Sequence, residues 1–386
     1  MGLETILVKD RLEWEGSYVD HFIQADTYNH KEVLAEVINF HRGHDIGGVV
    51  TFWERDVLLA SKVSQRLGLP GLDIRSAQRA RDKYLMRRTL AQHGLPGPRF
   101  KRVENLKDFR DGLEEIGFPA VLKPLSGAGG KNVVKIDWAE ARELENTFET
   151  LYRLSHPSHD PLFCHNPGKF LLEEYIEGDE VSVEGFICGD MIHLVAITDK
   201  SPLKGPYFIE SGDVMPSLHS RELQERIKVI TEEGVRALGY RNCGIHGELR
   251  LTEGEPRIIE IAARLGGDYL CDFVEMIYDV DMVEAVIQIA LGEKPDIKVS
   301  ASSGIVKGKY LLPKRGGVIT RFDGIKEVEK ISGVKAVKVL FKEGDRVRVP
   351  PEGFDYIGWV VAWGESPMEV DTIMNDAFEK IKIGIH

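Results

Sequence analysis

Cysteine is scarce in this chain: four residues in 386, Cys164, Cys188, Cys243 and Cys271, none of them in a C-x-x-C pair. That scatter indicates neither a zinc site nor a disulfide framework. Long apolar runs are missing too. None approaches the ~20 residues of a membrane span, and the first thirty residues are too charged for a signal peptide. Basic charge is also short, because 50 Lys and Arg face 62 Asp and Glu, for a formal net charge of -12. A dedicated nucleic-acid binder carries the opposite balance, so the expected partners are small molecules, with no nucleic acid and no membrane. Repeats and low-complexity segments are absent. What remains is an ordinary globular composition, 42% hydrophobic and 29% charged. At about 150 residues per domain the chain has room for two to three domains with large cores. These features predict a cytoplasmic enzyme.

The pattern along the chain predicts a mixed α/β and α+β multidomain protein. In the first eighty residues, Ile6–Val8, His21–Ala25 and Ile46–Phe52 have strand character, and Lys31–His41 and Arg55–Leu67 have helical spacing. Strands alternating with helices suggest a doubly wound, Rossmann-like lobe, here abbreviated because its usual opening strand and glycine turn are not seen. Ser76–His93 reads as a basic helix stopped by Gly94-Leu95-Pro96. Next come strand Ala120–Lys123, a glycine loop, strand Asn132–Ile136, helix Trp138–Ser155, a His- and Pro-rich loop, and strand Phe170–Ile176. Val181–Ile187 and Met191–Thr198 form a hairpin about Gly189-Asp190, and Gly244–Leu251 with Pro256–Ala262 form a second. Helices are expected over Glu222–Leu238, Tyr269–Leu291 and Met368–Ile381. The expected domains are an N-terminal α/β lobe over 1–80, a central domain over 81–299, and a separate small α+β domain over 300–386.

Three segments carry candidate chemistry. In Phe118–Lys131 a buried strand delivers Lys123, and Ser126, Gly127, Ala128, Gly129 and Gly130 make a loop almost free of side chains. Such a loop can lay backbone N–H groups against phosphate oxygens. It is no Walker A loop, because the first glycine and the residue after Lys131 do not match. A hairpin tip with an incidental lysine is the competing reading. In Leu171–Glu180 an apolar strand ends in carboxylates and leaves at a glycine, which suits an adenine slot or merely a solvated acidic strand end. In the second hairpin, period two puts His246, Glu248 and Arg250 on one face of the first strand, and the same parity puts Glu260, Ala262 and Arg264 on one face of its neighbour. Glu248 and Glu260 can then converge on a cation, and oxygen ligands beside phosphates suit Mg²⁺. Cross-strand pairing with the arginines is the alternative.

Taken in order, the helix lysine, the strand lysine with its glycine loop, E-E-Y-I-x-G-x-E and the paired carboxylates followed by arginine resemble the ATP-grasp superfamily, over roughly Ala80 to Gly267. The chain is similar to L-amino-acid ligases through Glu260–Gly267, Gly205–Gly212 with Pro216, and the separate C-terminal block. The resemblance implies an ATP-grasp fold, with a small lid-like domain after the nucleotide-binding one. It implies ATP and Mg²⁺ and an ADP-forming ligase that joins amino acids by an amide bond through an acyl phosphate. By the same resemblance Lys83 and Lys123 contact ATP, and Ser126–Gly130 cover its γ-phosphate. Glu173 and the backbone of Glu174, Tyr175 and Ile176 hold adenine, and Glu180 holds ribose. Glu248 and Glu260 hold Mg²⁺, and Arg264 stabilises the acyl phosphate and tetrahedral intermediate. Ala262 departs from the asparagine that many ATP-grasp enzymes carry there, leaving water or His246 to complete a second ion's shell. A homodimer through the N-terminal lobe is a further implication. An ATP-grasp carboxylase, a ligase with a non-peptide acceptor and an inactive nucleotide-binding regulator are the alternatives.

No Ser-His-Asp or Cys-His arrangement stands out, in keeping with chemistry that needs no protein nucleophile. The loop Ile197–His219 is placed to line the acceptor pocket. Its Glu210 and Asp213, and Asp268 after the Gly266-Gly267 turn, are candidates for binding an ammonium group, or else ordinary exposed carboxylates. His165 and His246 read as polar packing.

Overall fold

Among the described residues of the N-terminal lobe, two strands pair. β1 (Ile6–Lys9) lies parallel to β2 (His21–Gln24). The structure is a computed structural model that describes residues 2–137, 141–202, 206–300 and 304–386. Helices α1 (His30–His41) and α2 (Val57–Leu67) cover the pair, burying Val33, Val37, Leu59 and Val63 against Ile23 and Ile46. The Asn29 side chain caps α1 by accepting the Glu32 N–H, and Gly68, at φ 70°, ends α2. The strand expected over Ile46–Phe52 is not formed. This apolar run is extended but unpaired, and a Cβ on Gly48 would meet the Ala290 carbonyl oxygen at 2.9 Å. Close packing against another backbone takes the place of a sheet neighbour.

The basic helix expected over Ser76–His93 is two helices, α3 (Ile74–Arg81) and α4 (Lys83–Gln92). Asp82 between them is extended, and its carboxylate caps α4 at the Leu85 N–H. The break starts α4 at Lys83, whose N–H donates to the Leu125 carbonyl at 2.9 Å. A four-stranded antiparallel sheet follows, built with helices α5 (Leu106–Ile116) and α6 (Ala141–Leu154) from β3 (Phe100–Val103), β4 (Ala120–Pro124), β5 (Val134–Ile136) and β6 (Phe170–Glu174). Its order is β3-β6-β4-β5, over a core of Phe109, Leu122, Phe148, Phe170 and Leu172. Asn132, at φ 60°, is excluded from β5, and residues 138–140, at the expected start of α6, lie outside the described residues.

The second sheet has eight strands. The first hairpin is β7 (Asp179–Cys188) with β8 (Met191–Lys200), followed by β9 (Gly212–Met215) and helix α7 (Arg221–Leu238). The second hairpin is β10 (Cys243–Thr252) with β11 (Glu255–Ala262). The helix expected over Tyr269–Leu291 divides into α8 (Leu270–Tyr278) and α9 (Met282–Ala290). Asp279 turns left-handed at φ 57° and Asp281 caps the second helix at the Glu284 N–H. Beyond residue 304 come β12 (Ile305–Leu311), β13 (Gly317–Asp323), α10 (Ile325–Val328), β14 (Val334–Val339), β15 (Arg346–Val347), β16 (Gly358–Gly364), α11 (Pro367–Lys380) and β17 (Lys382–Ile385). The large sheet runs β11-β10-β7-β8-β9-β12-β16-β14, so the C-terminal block, read from sequence as separate, extends the central sheet. A small sheet, β15-β13-β17, completes the block. No described helix is long and apolar enough to cross a membrane.

Strand β12 joins the sheet against the fully buried Tyr269. That ring stacks on Phe273 at 4.6 Å between centroids, and its hydroxyl donates to Asp213 Oδ2 at 2.7 Å. A Cβ on Gly308 would meet Tyr269 Cζ at 2.4 Å. Gly308→Ala must push the ring aside and is expected to cost about 1–3 kcal/mol, read from the urea unfolding midpoint. Burial, with repulsion from Glu210, pushes the Asp213 carboxyl from 3.8 up to about 7, against the pull of Lys200 and the Tyr269 hydroxyl. The fold therefore favours the protonated acid. Its contribution to stability is full below 3.8 and is lost as pH rises through about 7. Asp213→Asn is expected to flatten that dependence, with the melting temperature raised at pH 8 and little changed at pH 4.

Candidate active site

Lys123 points from β4 into the interior, 5% exposed, and its Nζ lies 2.5 Å from Glu173 Oε2. Glu173 faces it from β6, where it pairs with Val121, and its other oxygen accepts from Arg87 Nε at 2.7 Å. Arg87 also donates to the carbonyls of Ile258 and Ile259, each at 2.6 Å, joining the four-stranded sheet to β11. Burial works to raise the Glu173 pKa, but Arg87 and Lys123 outweigh it and hold the group below the usual carboxylate range. The carboxylate expected at adenine is thus committed to fixing Lys123.

One cleft of about 710 Å³ gathers most of the residues singled out from sequence. Gly127, Ala128, Gly129 and Gly130 line it, as do Glu174, Tyr175, Ile176 and Glu180. A Cβ on Gly130, at φ 64°, would stand 2.8 Å from the Phe208 carbonyl oxygen, so only glycine fits there. Ser126 is fully buried behind the wall, its hydroxyl unpartnered among the described residues. Where the sequence led to an expected adenine slot, the Glu174 and Tyr175 N–H groups donate to Arg99 and Pro119 carbonyls. Arg250 fills the corner beside them, donating to Glu180 Oε2 at 2.8 Å, the Tyr175 hydroxyl at 3.0 Å and the Ile176 carbonyl at 3.1 Å.

In the β10–β11 hairpin Glu248 pairs directly with Glu260, with a bulge immediately after Glu248. Both carboxylates line the cleft, and each holds an ammonium group. Lys200 Nζ is 2.7 Å from Glu248 and Lys83 Nζ is 2.7 Å from Glu260. These lysines stand in for a cation at an oxygen-only pair, so the donor set fits Mg²⁺ with phosphate and water completing its shell. His246 is the cross-strand partner of Ala262 and also lines the cleft. Its Nδ1 lies 2.9 Å from Glu184 and its Nε2 3.5 Å from Glu248. Burial opposes the charged ring, but Glu184 and Glu248 prevail and push its pKa up to about 10. With Glu184 at one ring nitrogen and Glu248 at the other, His246 stands beside Ala262 as a polar neighbour of the carboxylate pair. His165 lies outside the cleft, its ring 5.4 Å from that of His30.

Arg264 leaves β11 and turns back over the cleft. Its Nε donates to Glu54 Oε2 at 2.8 Å and its Nη1 to the Leu265 carbonyl at 2.6 Å. Gly267 and Asp268 line the wall next to it. Gly266 does not, because it packs on Glu184, where a Cβ would meet Oε2 at 2.6 Å. Asp268 is left-handed at φ 55° and accepts from the Tyr310 hydroxyl at 2.6 Å. Glu210 lines the same chamber, accepts from Lys200 at 2.8 Å, and donates its N–H to the Tyr356 hydroxyl at 3.2 Å. Asp213, expected in the pocket, is 2% exposed and lies behind the wall, because in β9 its side chain turns toward Tyr269. Gly205 of the expected loop lies outside the described residues.

Several residues that line the cleft were not singled out from sequence: Lys200, Glu54, and Tyr310, Phe354, Tyr356 and Trp359 from the C-terminal block. The spacing F-x-Y-x-x-W over 354–359 was the available signal for the aromatics, and a lysine closing the alternating strand β8 was the signal for Lys200.

Comparison with known families matches residues 1–71 to the ATP-grasp N-terminal domain, 116–272 to the ATP-grasp domain, and 309–386 to the L-amino acid ligase C-terminal domain 2. Over 281 residues, 69% of this chain, it is 29% identical to alanine–anticapsin ligase of Bacillus subtilis, of which the match spans 59%. It is 26% identical over 302 residues to the L-arginine-specific L-amino acid ligase of Bacillus subtilis, covering 78% of this chain and 70% of that one. The crystal structure of an L-amino acid ligase from Bacillus licheniformis superposes with a TM-score of 0.89 at 24% identity, over 100% of this chain and 93% of that one. With three matching domains in series and the fold they specify, the chain belongs to the ATP-grasp superfamily and is similar within it to the L-amino-acid ligases.

Proposed function

We propose that the protein is an ATP-dependent carboxylate–amine ligase that joins two amino acids through an acyl phosphate, releasing ADP and phosphate. The observation that carries this reading is the continuity of one cleft, with a glycine loop and Lys123 at one end, Glu248 and Glu260 in the middle, and Arg264 before an acidic, aromatic chamber. A carboxylate resists attack by an amine, so its oxygen first takes the γ-phosphoryl group of ATP and ADP leaves. The amine nitrogen then attacks the acyl carbon, and phosphate leaves with the C–O bond electrons. Mg²⁺ held by Glu248 and Glu260 would neutralise phosphate charge. Lys123 and Lys83 line the phosphate path, and the loop Gly127–Gly130 offers backbone N–H groups to it. Arg264 supplies fixed positive charge where the oxyanion develops.

The acceptor chamber supports a substrate class. Glu210 and Asp268 line it, and the rings of Tyr310, Tyr356 and Trp359 wall it. Lys200 is already engaged by Glu210, Glu248 and, at 3.7 Å, Glu180. Carboxylates among aromatic rings favour an ammonium or guanidinium group, so the reading extends to an amino-acid substrate with a cationic side chain.

The test is ADP formation with pooled amino acids, followed by mass analysis of the product. A dipeptide is expected, whereas ADP with a carboxylated or non-peptide product, or no turnover, would place the chain with the alternatives. Glu260→Ala is expected to abolish substrate-dependent phosphate release, and retained release would remove the metal assignment. Arg264→Ala is expected to lower kcat about 10²–10³-fold, the scale of a lost oxyanion donor. Asp268→Ala is expected to raise KM for a cationic substrate and leave neutral ones unaffected. A screen that found only neutral substrates, indifferent to this change, would end the cationic reading.

A further inference from the structure

Glu54 sits in the N-terminal lobe, in the single 3₁₀ turn before α2, far in sequence from the phosphate and metal motifs. It is 3% exposed and lies in the cleft wall. Its Oε1 accepts from Arg81 Nη1 at 2.6 Å and its Oε2 from Arg264 Nε at 2.8 Å. Burial works to raise the Glu54 pKa, but Arg81, Arg264 and Lys83 outweigh this and keep it ionised.

We infer that Glu54 is the positioning residue for Arg264, clamping its guanidinium so that the remaining N–H groups face the reacting carboxylate. This rests on the reading of Arg264 given above. Glu54 holds Nε and the Leu265 carbonyl holds Nη1, while Nη2 has no protein hydrogen bond among the described residues. A planar fork held at two nitrogens has its third direction fixed. The clamp also works against a competitor. After Glu54, the carboxylates that act most strongly on Arg264 are Glu260 and Glu248, the two assigned to the metal. A guanidinium released from Glu54 would be drawn onto them and away from the acyl group. A carboxylate that keeps two arginines is a costly way to fill a buried space, since packed apolar side chains would stabilise the junction at least as well. Its position explains its presence better than its stability does. The N-terminal lobe thereby enters the reaction through Glu54.

The experiment compares Glu54→Gln, Arg264→Ala and the double variant in steady-state ligation, with thermal melting alongside. Glu54→Gln is expected to lower kcat 10- to 100-fold while KM for ATP stays within twofold. Added to Arg264→Ala it is expected to change nothing further, because an absent guanidinium needs no clamp. A defect in folding alone would instead multiply with the Arg264 loss and would track the melting temperature. If Arg264→Ala is crippled and Glu54→Gln keeps full kcat, or if the two losses multiply, the positioning role is overturned and the ligase reading stands. If Arg264→Ala keeps full kcat, the reading of Arg264 falls, and the inference with it. Arg264→Lys serves if Glu54→Gln does not fold. Lysine has one nitrogen and cannot meet both Glu54 and substrate, so it is expected to lose as much kcat as alanine. Near-normal kcat in Arg264→Lys would also overturn the inference.

Discussion

The site depends on one buried guanidinium. Arg87 holds Glu173 with one nitrogen and the carbonyls of Ile258 and Ile259 with the other two, so helix α4, the four-stranded sheet and the edge strand of the large sheet meet at a single planar group. Glu173 in turn fixes Lys123. Removing the arginine would leave a buried carboxylate with half its compensation and β11 with two carbonyls unmet, a loss of the kind that costs several kcal/mol. Lys123 and the strand that carries Glu260 are therefore tied to each other through one rigid fork.

The cleft repeats that device. Glu54 fixes Arg264, Glu260 holds Lys83, Glu248 holds Lys200, and Glu184 holds the His246 ring. Each of these charges has an opposite charge behind or beside it, whereas Asp268 has the Tyr310 hydroxyl. Hydrogen bonds fix the direction of each group, and for Glu54, Glu248 and Lys200 the opposite charges outweigh burial and favour the ionised form. The overall charge of -12 says nothing of this local order, since it averages over the whole surface.

Much of the nucleotide and metal end was legible in the sequence, because it is written in local patterns. A strand that ends in lysine, a loop of glycines, and a hairpin with period-two carboxylates each need only neighbouring residues to be recognised. Glu248 opposite Glu260 needs more than the turn, whose register alone would set Glu248 against Ile259; the bulge after Glu248 shifts the pairing by one residue. The acceptor end was less legible. Glu54 and Arg264 meet across 210 positions of chain, and Tyr310, Tyr356 and Trp359 reach the cleft only because β12 and β16 extend the central sheet. Ile46–Phe52 shows the same limit from the other side. An apolar run specifies burial, but a strand needs a partner, and here the neighbour is the end of α9. Asp213 and Ser126 had suitable chemistry and the wrong facing, which the local pattern of a loop does not specify.

The glycine loop closes against the acceptor loop. Gly130 abuts the Phe208 carbonyl, Val134 bridges to Tyr207, and the Lys135 N–H donates to the Pro206 carbonyl at 2.6 Å. The glycine loop and the segment 206–208 are therefore one seam of backbone, so that a displacement of either would have to break or carry along the other.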